Sequence, residues 1–415
     1  MKILRVIASM NPASGGPCQG IRNSIPELEK IGAYNEVVCL DNPGEDFLKK
    51  DSFKIYALGP TITPWSYSSK LVPWLKNNLV RFDVVIVHGL WLYNGYATLK
   101  AIKSIQKSNS DKAPKLFVMP HGMLDPYFQL TKARKVKAYR NNLYWRYIES
   151  KLILKANGIL FTTETEMLLA RTTFKNYHPK KELNVGYGIG QPPVLSASNS
   201  QQLYDKFPSL VNKSFFLFLS RIHEKKGIDF LIEAYDKILQ QHNALQKLSN
   251  AAGNFDSIEE QDNEVPMLVI AGPGLETAYG IKIAKIVAAS KRLSGSVVFT
   301  GMLLGDMKWE AFYSCEAMIL PSHQENFGIA VVEALACSKP VLISNQVNTW
   351  REIQQHKAGL IAPNTLKGTL DLLERWNSLT GDQKTEMGEN AKECFFENFA
   401  IQPAARRLYK VLKGE

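Results

Sequence analysis

A strand, a polar loop and a helix follow one another near position 325, and this order constrains the fold more than any other feature of the chain. The run Ala317–Leu320 is apolar and predicts a buried strand, and Ile329–Ala336 has the small apolar side chains of a buried helix. The loop between them carries Glu325, and the helix contains Glu333. Because open α/β sheets bind ligands at the carboxyl ends of their strands, we expect Glu325 to lie at a ligand site.

The start of this helix predicts an anion site beside that carboxylate. The N–H groups of Phe327, Gly328 and Ile329 would point away from the helix toward the same place. A carboxylate is an unusual neighbour for a simple phosphate. It suits a sugar phosphate, because the amides can bind the phosphate while Glu325 accepts hydrogen bonds from sugar hydroxyls.

Composition limits the class of protein. A length of 415 residues predicts two or three domains, and 45% hydrophobic with 21% charged residues is typical of a globular chain. The net charge of +11 favours an acidic partner, which could be a nucleotide, a nucleic acid or an anionic lipid. The five cysteines are dispersed and lack metal-ligand spacing, which indicates reduced thiols in a cytoplasmic protein. No apolar run predicts a signal peptide or a membrane span.

Strands alternate with helices in both halves of the chain, which predicts an α/β fold with parallel, doubly wound sheets. Strands are predicted at 3–8, 36–40, 84–88, 115–120, 158–162, 215–219, 267–271, 297–300, 317–320 and 340–344. Helices are predicted at 20–31, 97–107, 227–240, 278–292, 329–336 and 404–412.

A glycine- and proline-rich break at 188–193 predicts a boundary between two Rossmann-like domains, residues 1–192 and residues 193–399. We expect them to face each other across a cleft, as a two-substrate transfer requires. Residues 242–265 are rich in polar and acidic side chains and predict a mobile surface insertion.

The segment around Glu325 and Glu333 resembles the signature of family-four glycosyltransferases, which have the GT-B fold. Phe327 and Gly328 between the glutamates and the apolar helix leading to Lys339 make the similarity specific. The resemblance implies that Glu325 holds hydroxyls of the donor sugar, that Glu333 holds the ribose, and that 326–329 bind the nucleotide sugar. The alternative for the bare spacing is an ordinary helix residue and a solvated loop residue.

The resemblance also orders the two halves. It implies that the first domain is the acceptor side, that the second is the donor side, and that a C-terminal helix at 400–415 crosses back onto the first. Among bacterial members, the chain is most similar to exopolysaccharide and envelope-polysaccharide enzymes, with a suspected relation to those of the heterocyst envelope.

Arg221 and Lys226 bracket a short loop after a predicted strand. Cations there would stabilise the charge that grows on a leaving diphosphate. The loop resembles the family's Arg…Lys-Gly motif, which implies diphosphate binding by both residues, whereas Lys225 is interpreted as solvated. By the same resemblance, Gly272 lets the chain approach the nucleotide and Met302 lies beside the base. The ordinary alternative for Met302 is a core position.

The first half contributes candidates at three strand ends. Gly15 and Gly16 precede a helix and permit close approach to an anion. His88 and Trp91 follow a second strand, and the resemblance implies acceptor binding there. His121 follows a third strand and corresponds to the family's active-site histidine, which implies a hydrogen bond to a hydroxyl of the transferred sugar. A structural histidine is the alternative for both His88 and His121.

Two features in this half are interpreted as structural or divergent. Thr163 and Glu166 have the spacing of a helix cap. Tyr187 stands where the family often has an asparagine, so contacts made by that asparagine are not expected here.

Together these features predict a retaining hexosyltransferase that uses a UDP-sugar such as UDP-glucose and a glycan acceptor, for example a lipid-linked one. No D-x-D triplet occurs, so no cofactor and no metal are expected. The resemblance implies a front-face displacement in which a donor phosphate oxygen helps to deprotonate the acceptor. The alternatives are a GT-B nucleotide-sugar epimerase and a non-catalytic nucleotide or nucleic-acid binder. A Rossmann dehydrogenase is disfavoured because no G-x-G-x-x-G follows the first strand.

A basic and aromatic segment at 132–146 predicts peripheral contact with an anionic membrane at its cytoplasmic face. Its lysines and arginines would meet lipid phosphates, and Leu143, Tyr144 and Trp145 would meet the headgroup boundary. The alternative is a solvated helix whose aromatic side chains face the core.

Overall fold

The computed structural model describes residues 1–108, 110–131, 134–195, 201–251 and 265–415. The chain divides into two compact units. The first comprises Met1–Gly190 together with Asn398–Glu415, and the second comprises Gln191–Glu397.

The first unit is built on a sheet of seven parallel strands in the order β3-β2-β1-β4-β5-β6-β7. The strands are β1 (Lys2–Val6), β2 (Tyr34–Cys39), β3 (Lys54–Ala57), β4 (Val84–His88), β5 (Lys115–Met119), β6 (Gly158–Phe161) and β7 (Glu182–Asn184). Its helices before the unit boundary are α1 (Gly16–Lys30), α2 (Leu71–Asn78), α3 (Tyr93–Ser108), α4 (Tyr127–Leu130), α5 (Lys135–Tyr144), α6 (Ser150–Lys155) and α7 (Glu164–Thr173).

The second unit has a sheet of six parallel strands in the order β10-β9-β8-β11-β12-β13. The strands are β8 (Phe215–Leu219), β9 (Met267–Ala271), β10 (Val297–Gly301), β11 (Ala317–Leu320), β12 (Val341–Ser344) and β13 (Gly359–Ala362). The helices are α8 (Gln202–Lys206), α9 (Ile228–Ala251), α10 (Ala278–Ala289), α11 (Lys291–Ser296), α12 (Gly305–Ser314), α13 (Ile329–Ala336), α14 (Trp350–Gln355), α15 (Leu366–Asn377) and α16 (Gly381–Cys394).

The last helix, α17 (Ile401–Lys413), belongs to the first unit and packs on α1. Ala405, Leu408 and Leu412 are buried from α17 against one face of the seven-stranded sheet, where they meet Ile3 and Ile86. This helix therefore completes the apolar layer that begins at the first strand of the chain.

The parallel-sheet architecture of both units is confirmed, and the strand-loop-helix order around position 325 is also correct. The central strands are buried along all or nearly all of their length, as their continuous apolar runs predict. Three strands were not predicted, and all three lie at a sheet edge: β3, β7 and β13. Edge strands bury less side-chain surface, so their sequences carry a weaker apolar signal.

Two predicted helices differ from the structure. The helix predicted at 227–240 continues to Ala251, because residues 244–251 contain the good helix formers Ala, Leu, Gln and Lys. The predicted insertion therefore begins inside α9, and residues 252–264 lie outside the described residues. The helix predicted at 278–292 is two helices, since Ser290 ends α10 and its hydroxyl caps α11 by accepting from the Leu293 N–H.

The basic segment is helical where it is described, but one of its aromatic residues was misassigned. Trp145 is buried, its ring stacks on Phe174 at 4.6 Å, and its indole N–H donates to the Lys175 carbonyl at 2.9 Å. Tyr144 is half-buried. The prediction that Trp145 faces a lipid surface is therefore wrong. Lys132 and Ala133 lie outside the described residues.

None of the described helices is both long enough and apolar enough to span a membrane.

Candidate functional site

Each sheet has one point where the strand order changes direction, and predicted site residues lie at both points. In the first unit the change falls between β1, whose following loop carries Gly15, and β4, whose last residue is His88. In the second unit it falls between β8 and β11, whose following loops carry Lys226 and Glu325. Ligands of open α/β sheets bind in the crevice at such switch points.

The loop between β11 and α13 is held in place by its backbone. The Glu325 N–H donates to the Gln346 carbonyl at 2.9 Å, and the Asn348 N–H donates to the Glu325 carbonyl at 3.0 Å. Gly328 then turns the chain into α13 with a left-handed φ of 72°. Phe327 is buried and anchors the loop. The position of the Glu325 carboxylate is therefore set by the fold rather than by a mobile loop.

The ammonium of Lys226 forms an ion pair with the Glu325 carboxylate. Lys226 is buried, in the loop after β8. The next residue, Gly227, has φ 67°, and a Cβ there would lie 2.1 Å from the Pro321 carbonyl oxygen. Only glycine fits this contact, which brings the loops after β8 and β11 together.

The surroundings of Glu325 are cationic. Burial raises the pKa of this carboxyl, but the charges of Lys226, Lys225 and Arg221 more than offset burial, so its pKa lies below the ordinary value. Arg221 is exposed. The site thus holds an ionised carboxylate among basic side chains, an arrangement that can accept sugar hydroxyls beside a bound phosphate.

Glu333 has a partner that the sequence did not indicate. Lys308 of α12 pairs with its carboxylate at 2.8 Å. Burial raises the pKa of Glu333 and Lys308 partly opposes this, leaving the pKa above its ordinary value. Between the two glutamates, Asn326 and Ile329 are half-buried.

Gly272 must be a glycine because neighbouring backbone leaves no room for a side chain. It has φ 144°, its N–H donates to the Gly301 carbonyl at 2.8 Å, and a Cβ would lie 1.9 Å from the Ser220 carbonyl oxygen. The close approach seen here is to the backbone that leads into Arg221. Met302 is 61% exposed, so it is not a core position.

In the first unit, the loop after β1 is tied to Tyr187. Gly15 has φ 86° with open space where a Cβ would be, and Gly16 begins α1. The Tyr187 hydroxyl donates to the Gly16 carbonyl at 2.5 Å, and its ring fills the position where Gly20 lacks a side chain. Tyr187 thus supports the glycine loop, a structural role that its divergence from the family pattern did not reveal.

His88 and His121 form a pair. His88 Nδ1 and His121 Nε2 are 2.9 Å apart, and the two rings lie nearly parallel, within 22°, with their centroids 5.2 Å apart. Burial and the charge of Arg5 lower the pKa of His121 to about 3. Burial, His121 and Arg5 also lower the pKa of His88 well below its ordinary value. Both rings are therefore neutral, and one donates to the other.

The turn that carries His121 is held by Glu166. His121 has φ 54°, an unusual conformation for this residue type. One oxygen of Glu166 accepts from the Gly122 N–H at 2.6 Å, and the other accepts from the N–H and hydroxyl of Thr162. Thr163 caps α7, as expected. Glu166, however, fixes the His121 turn rather than reaching back to the cap residue.

Trp91 is held in a similar way. It has φ 71°, and its N–H donates to Glu149 Oε1 at 2.7 Å. Its ring packs on Phe174 with centroids 5.5 Å apart. Burial raises the pKa of Glu149 to about 8, although the Trp91 N–H opposes this rise.

We expect Glu149→Gln to stabilise the protein at alkaline pH. The unfolded carboxyl loses its proton near its ordinary pKa of 4.5, whereas the folded one keeps it to about 8. The free energy of unfolding therefore falls as pH rises through this window, by a few kcal/mol from this one group. Urea unfolding should be measured near pH 4.5 and near pH 8. The free energy of unfolding of the variant should exceed that of the wild type only near pH 8. An equal effect at both limits, or no difference from the exposed-site variant Glu386→Gln, would contradict the assignment.

Three charged residues of these sites were missed by the sequence reasoning: Arg5, Glu149 and Lys308. Arg5 carried a signal, since it interrupts an otherwise apolar strand. Glu149 and Lys308 lie on helices among other polar residues, and only their contacts distinguish them.

Comparison with known proteins agrees with this architecture. Residues 200–394 match the family model of glycosyl transferases group 1. The O-antigen chain mannosyltransferase C of Escherichia coli is 24% identical over 322 residues, which cover 73% of this chain and 75% of the relative. The alpha-1,3/1,6-mannosyltransferase ALG2 of Dictyostelium discoideum is 25% identical over 273 residues, which cover 62% of this chain and 61% of ALG2.

The fold is shared by solved structures over the whole chain. Anabaena Alr3699/HepE in complex with UDP and glucose superposes with a TM-score of 0.67 at 17% identity, covering 100% of both chains. Two Rossmann-like units, each with predicted site residues at its switch point, have the architecture of the GT-B fold. Residues 200–394, somewhat under half of the chain, are similar to the group 1 glycosyltransferases.

Proposed function

We propose that this protein is a retaining, metal-independent hexosyltransferase. It moves a hexose from a UDP-sugar, UDP-glucose in the first instance, to a glycan acceptor in envelope or exopolysaccharide biosynthesis. The observation that carries the proposal is the pairing of Lys226 with Glu325 at the switch point of the second sheet, within the field of Arg221.

The roles of the donor-side residues follow from their chemistry. Arg221 and Lys226 bind the diphosphate, and Lys226 stabilises the charge that develops as the glycosidic bond breaks. Glu325 is ionised and accepts hydrogen bonds from sugar hydroxyls, while Glu333 accepts those of the ribose. Met302 is exposed and lies beside the base.

In this proposal, retention arises from attack on the same face of the sugar that the diphosphate leaves, and not from a covalent glycosyl-enzyme intermediate. Both glutamates already serve as hydrogen-bond acceptors and pair with lysines, so neither is placed to attack the sugar. A donor phosphate oxygen then helps to deprotonate the acceptor hydroxyl on the same face of the sugar. His121 contributes a hydrogen bond to the transferred sugar.

Two sugar donors are supported by the comparisons with similar proteins. The Anabaena protein with the same fold was solved in complex with UDP-glucose. Both relatives described above are named mannosyltransferases, which makes a mannosyl donor the second candidate.

Thermal unfolding with UDP-glucose, GDP-mannose, UDP and GDP at matched concentrations tests the donor. Binding to the folded state alone raises the midpoint, so the preferred donor gives the larger shift. We expect UDP-glucose to give it and to be consumed with release of UDP when a glycan acceptor is present. A larger shift with GDP-mannose replaces the donor assignment, and no shift with any nucleotide sugar overturns the function. Proton NMR of the product then reports whether the anomeric configuration is retained.

We expect transfer to survive EDTA. Arg221 and Lys226 supply the positive charge that a divalent ion would otherwise bring to the diphosphate. Among the described residues, no three His, Cys, Asp or Glu side chains form a group suited to a metal ion. The initial rate with and without EDTA is the measurement. A strict requirement for Mg²⁺ or Mn²⁺, restored when the ion is added back, would show that the basic loop does not suffice.

We further propose that the protein attaches to the anionic surface where a lipid-linked acceptor resides, through the exposed face of α5. This face carries apolar side chains at helical spacing, Val136, Tyr139 and Leu143, which are 85%, 69% and 42% exposed. Lys135, Lys137 and Arg140 are exposed between them. Such a mixture suits a helix lying in a headgroup layer.

Joint replacement of Lys135, Lys137 and Arg140 by Gln is expected to weaken binding to anionic vesicles. Each basic residue near an anionic surface contributes about 1 kcal/mol, so the triple change should lower the partition coefficient by roughly 100-fold. Co-sedimentation with vesicles containing or lacking anionic lipid measures the effect.

A matched control removes the same charge from α10 and α11. Joint replacement of Lys282, Lys285 and Lys291 by Gln should leave binding to anionic vesicles nearly unchanged. Equal sedimentation with neutral and anionic vesicles would mean that the α5 face is only a solvated surface.

A further inference from the structure

Arg5 is a buried cation in an apolar layer. It lies on the central strand β1, is 1% exposed, and shares its face of the sheet with Ile3 and Ile86. Its Nε–H donates to Asn35 Oδ1 at 3.0 Å. Across the described ranges it forms no ion pair, and its NH2 nitrogen has no hydrogen-bond partner. An uncompensated buried guanidinium is costly, so its retention calls for a purpose.

A cavity of about 30 Å³ lies beside Arg5, and all of its lining residues belong to the first unit. Its lining includes Arg5, Ser24, His88, His121, Tyr187 and Ala404. The Nε2 of His88 is likewise buried and has no hydrogen-bond partner in the described part of the chain. The volume suffices for one water molecule, and a donor and an acceptor without other partners meet the polar requirement for holding it.

We propose that Arg5 is a positioning residue that sets the tautomers of the His88–His121 pair. It donates, through a water held in the cavity, to Nε2 of His88. His88 then carries its proton on Nδ1 and donates it to Nε2 of His121, 2.9 Å away. His121 in turn carries its proton on Nδ1, which becomes the donor available to a ligand.

The opposite arrangement would place a proton on His88 Nε2, pointed at a guanidinium. Arg has only donors, so the bridging water would then accept from both groups, and its O–H groups would lose the acceptor that His88 Nε2 provides. Burial, assisted by the positive charge of Arg5, lowers the pKa values of His88 and His121 and keeps both rings neutral. A ring that stays neutral can hold a fixed tautomer, whereas an imidazolium cannot.

This inference rests on the proposed function in one respect, the contact of His121 with the transferred sugar. The tautomer itself can be measured without any reaction. In protein with ¹⁵N-labelled histidine, two-bond proton–nitrogen spectra distinguish the protonated from the bare ring nitrogen, and His88→Asn assigns the His88 signals.

We expect the wild type to show bare Nε2 on both His88 and His121. Arg5→Met, which removes the donor at similar volume, should mix the tautomers of His88. Arg5→Lys, which keeps a cationic donor, should preserve them. Unchanged tautomers in the Met variant overturn the proposal.

Activity supplies a second readout. Arg5→Met should lower kcat by roughly 10–100-fold, the usual range for a group that orients a functional histidine, with little change in KM. We expect only a small change in stability, because removal of the buried charge offsets the loss of the hydrogen bond to Asn35 Oδ1. Arg5→Lys should recover most of kcat. A loss of kcat that merely follows a loss of folded protein would indicate a structural role and contradict the proposal.

A double-mutant cycle separates the hydrogen-bond relay, which runs from Arg5 through the water and His88 to His121, from other effects of the substitution. In His88→Asn, the side-chain amide nitrogen can take the place of Nδ1 and donate to His121 Nε2. It needs no hydrogen bond at the place of His88 Nε2 to fix its proton. In the His88→Asn background, Arg5→Met should therefore have little further effect. Equal losses in both backgrounds overturn the relay. If the wild type transfers no sugar while its tautomers are as described, the proposed function fails and the relay stands.

Discussion

Lys226→Met is expected to lower kcat by about 10²–10³-fold, corresponding to about 2.7–4 kcal/mol of lost transition-state stabilisation. The ammonium lies where charge develops on the leaving diphosphate, and its buried ion pair with Glu325 fixes its position before the reaction. Nucleotide release in the presence of an acceptor, measured at saturating donor, reports the change. Lys225→Met, which removes the neighbouring charge of the same loop, is the matched control and should change kcat far less.

The loss must be separated from a folding defect. Lys226→Met leaves Glu325 without its main partner, so burial then raises the pKa of that carboxyl and destabilises the loop. The double variant Lys226→Met, Glu325→Gln removes both charges and should recover stability without recovering turnover. Turnover near that of the wild type in any folded variant lacking Lys226 or the Glu325 carboxylate would refute the donor-site assignment.

His121→Asn is expected to lower kcat by about 10²-fold, the effect of losing one well-placed hydrogen-bond donor in a transition state. Asparagine tolerates the left-handed φ of 54° at this position, so the turn held by Glu166 should persist. His178→Asn, at an exposed site, is the control for the substitution itself. Transfer assays at saturating donor and acceptor give kcat for both variants. If His121→Asn retains the wild-type kcat, the histidine pair serves the fold alone.

Much of the fold was accessible from the sequence because buried parallel strands are continuous apolar runs. Phe215–Leu219 and Ala317–Leu320 were delimited correctly, since each is flanked by polar loops and lies at the centre of its sheet. Lys54–Ala57 and Gly359–Ala362 were missed because edge strands bury only one side against a neighbour, and their composition resembles that of loops.

The sequence predicted which loops carry the site residues, but it did not predict which side chains those residues contact. The order of strand and helix placed Glu325 and Lys226 at strand ends, and the structure brings these two together across 99 positions of sequence. The pairing of Glu333 with Lys308 depends on how α12 packs, and no local pattern encodes it. Trp145 shows the converse error, because an aromatic residue within a basic segment has no sequence mark that separates a surface ring from a core ring.

The placement of α17 has a consequence for how the protein is made. One face of the first sheet is covered by Ala405, Leu408 and Leu412, which follow the whole second unit in the chain. While the nascent chain leaves the ribosome, the first half therefore waits with this apolar face, including Arg5, exposed to solvent. The second unit can complete its sheet earlier, which reverses the usual order in which domains mature during synthesis. The face around β1 and β4 is covered only once α17 has been translated.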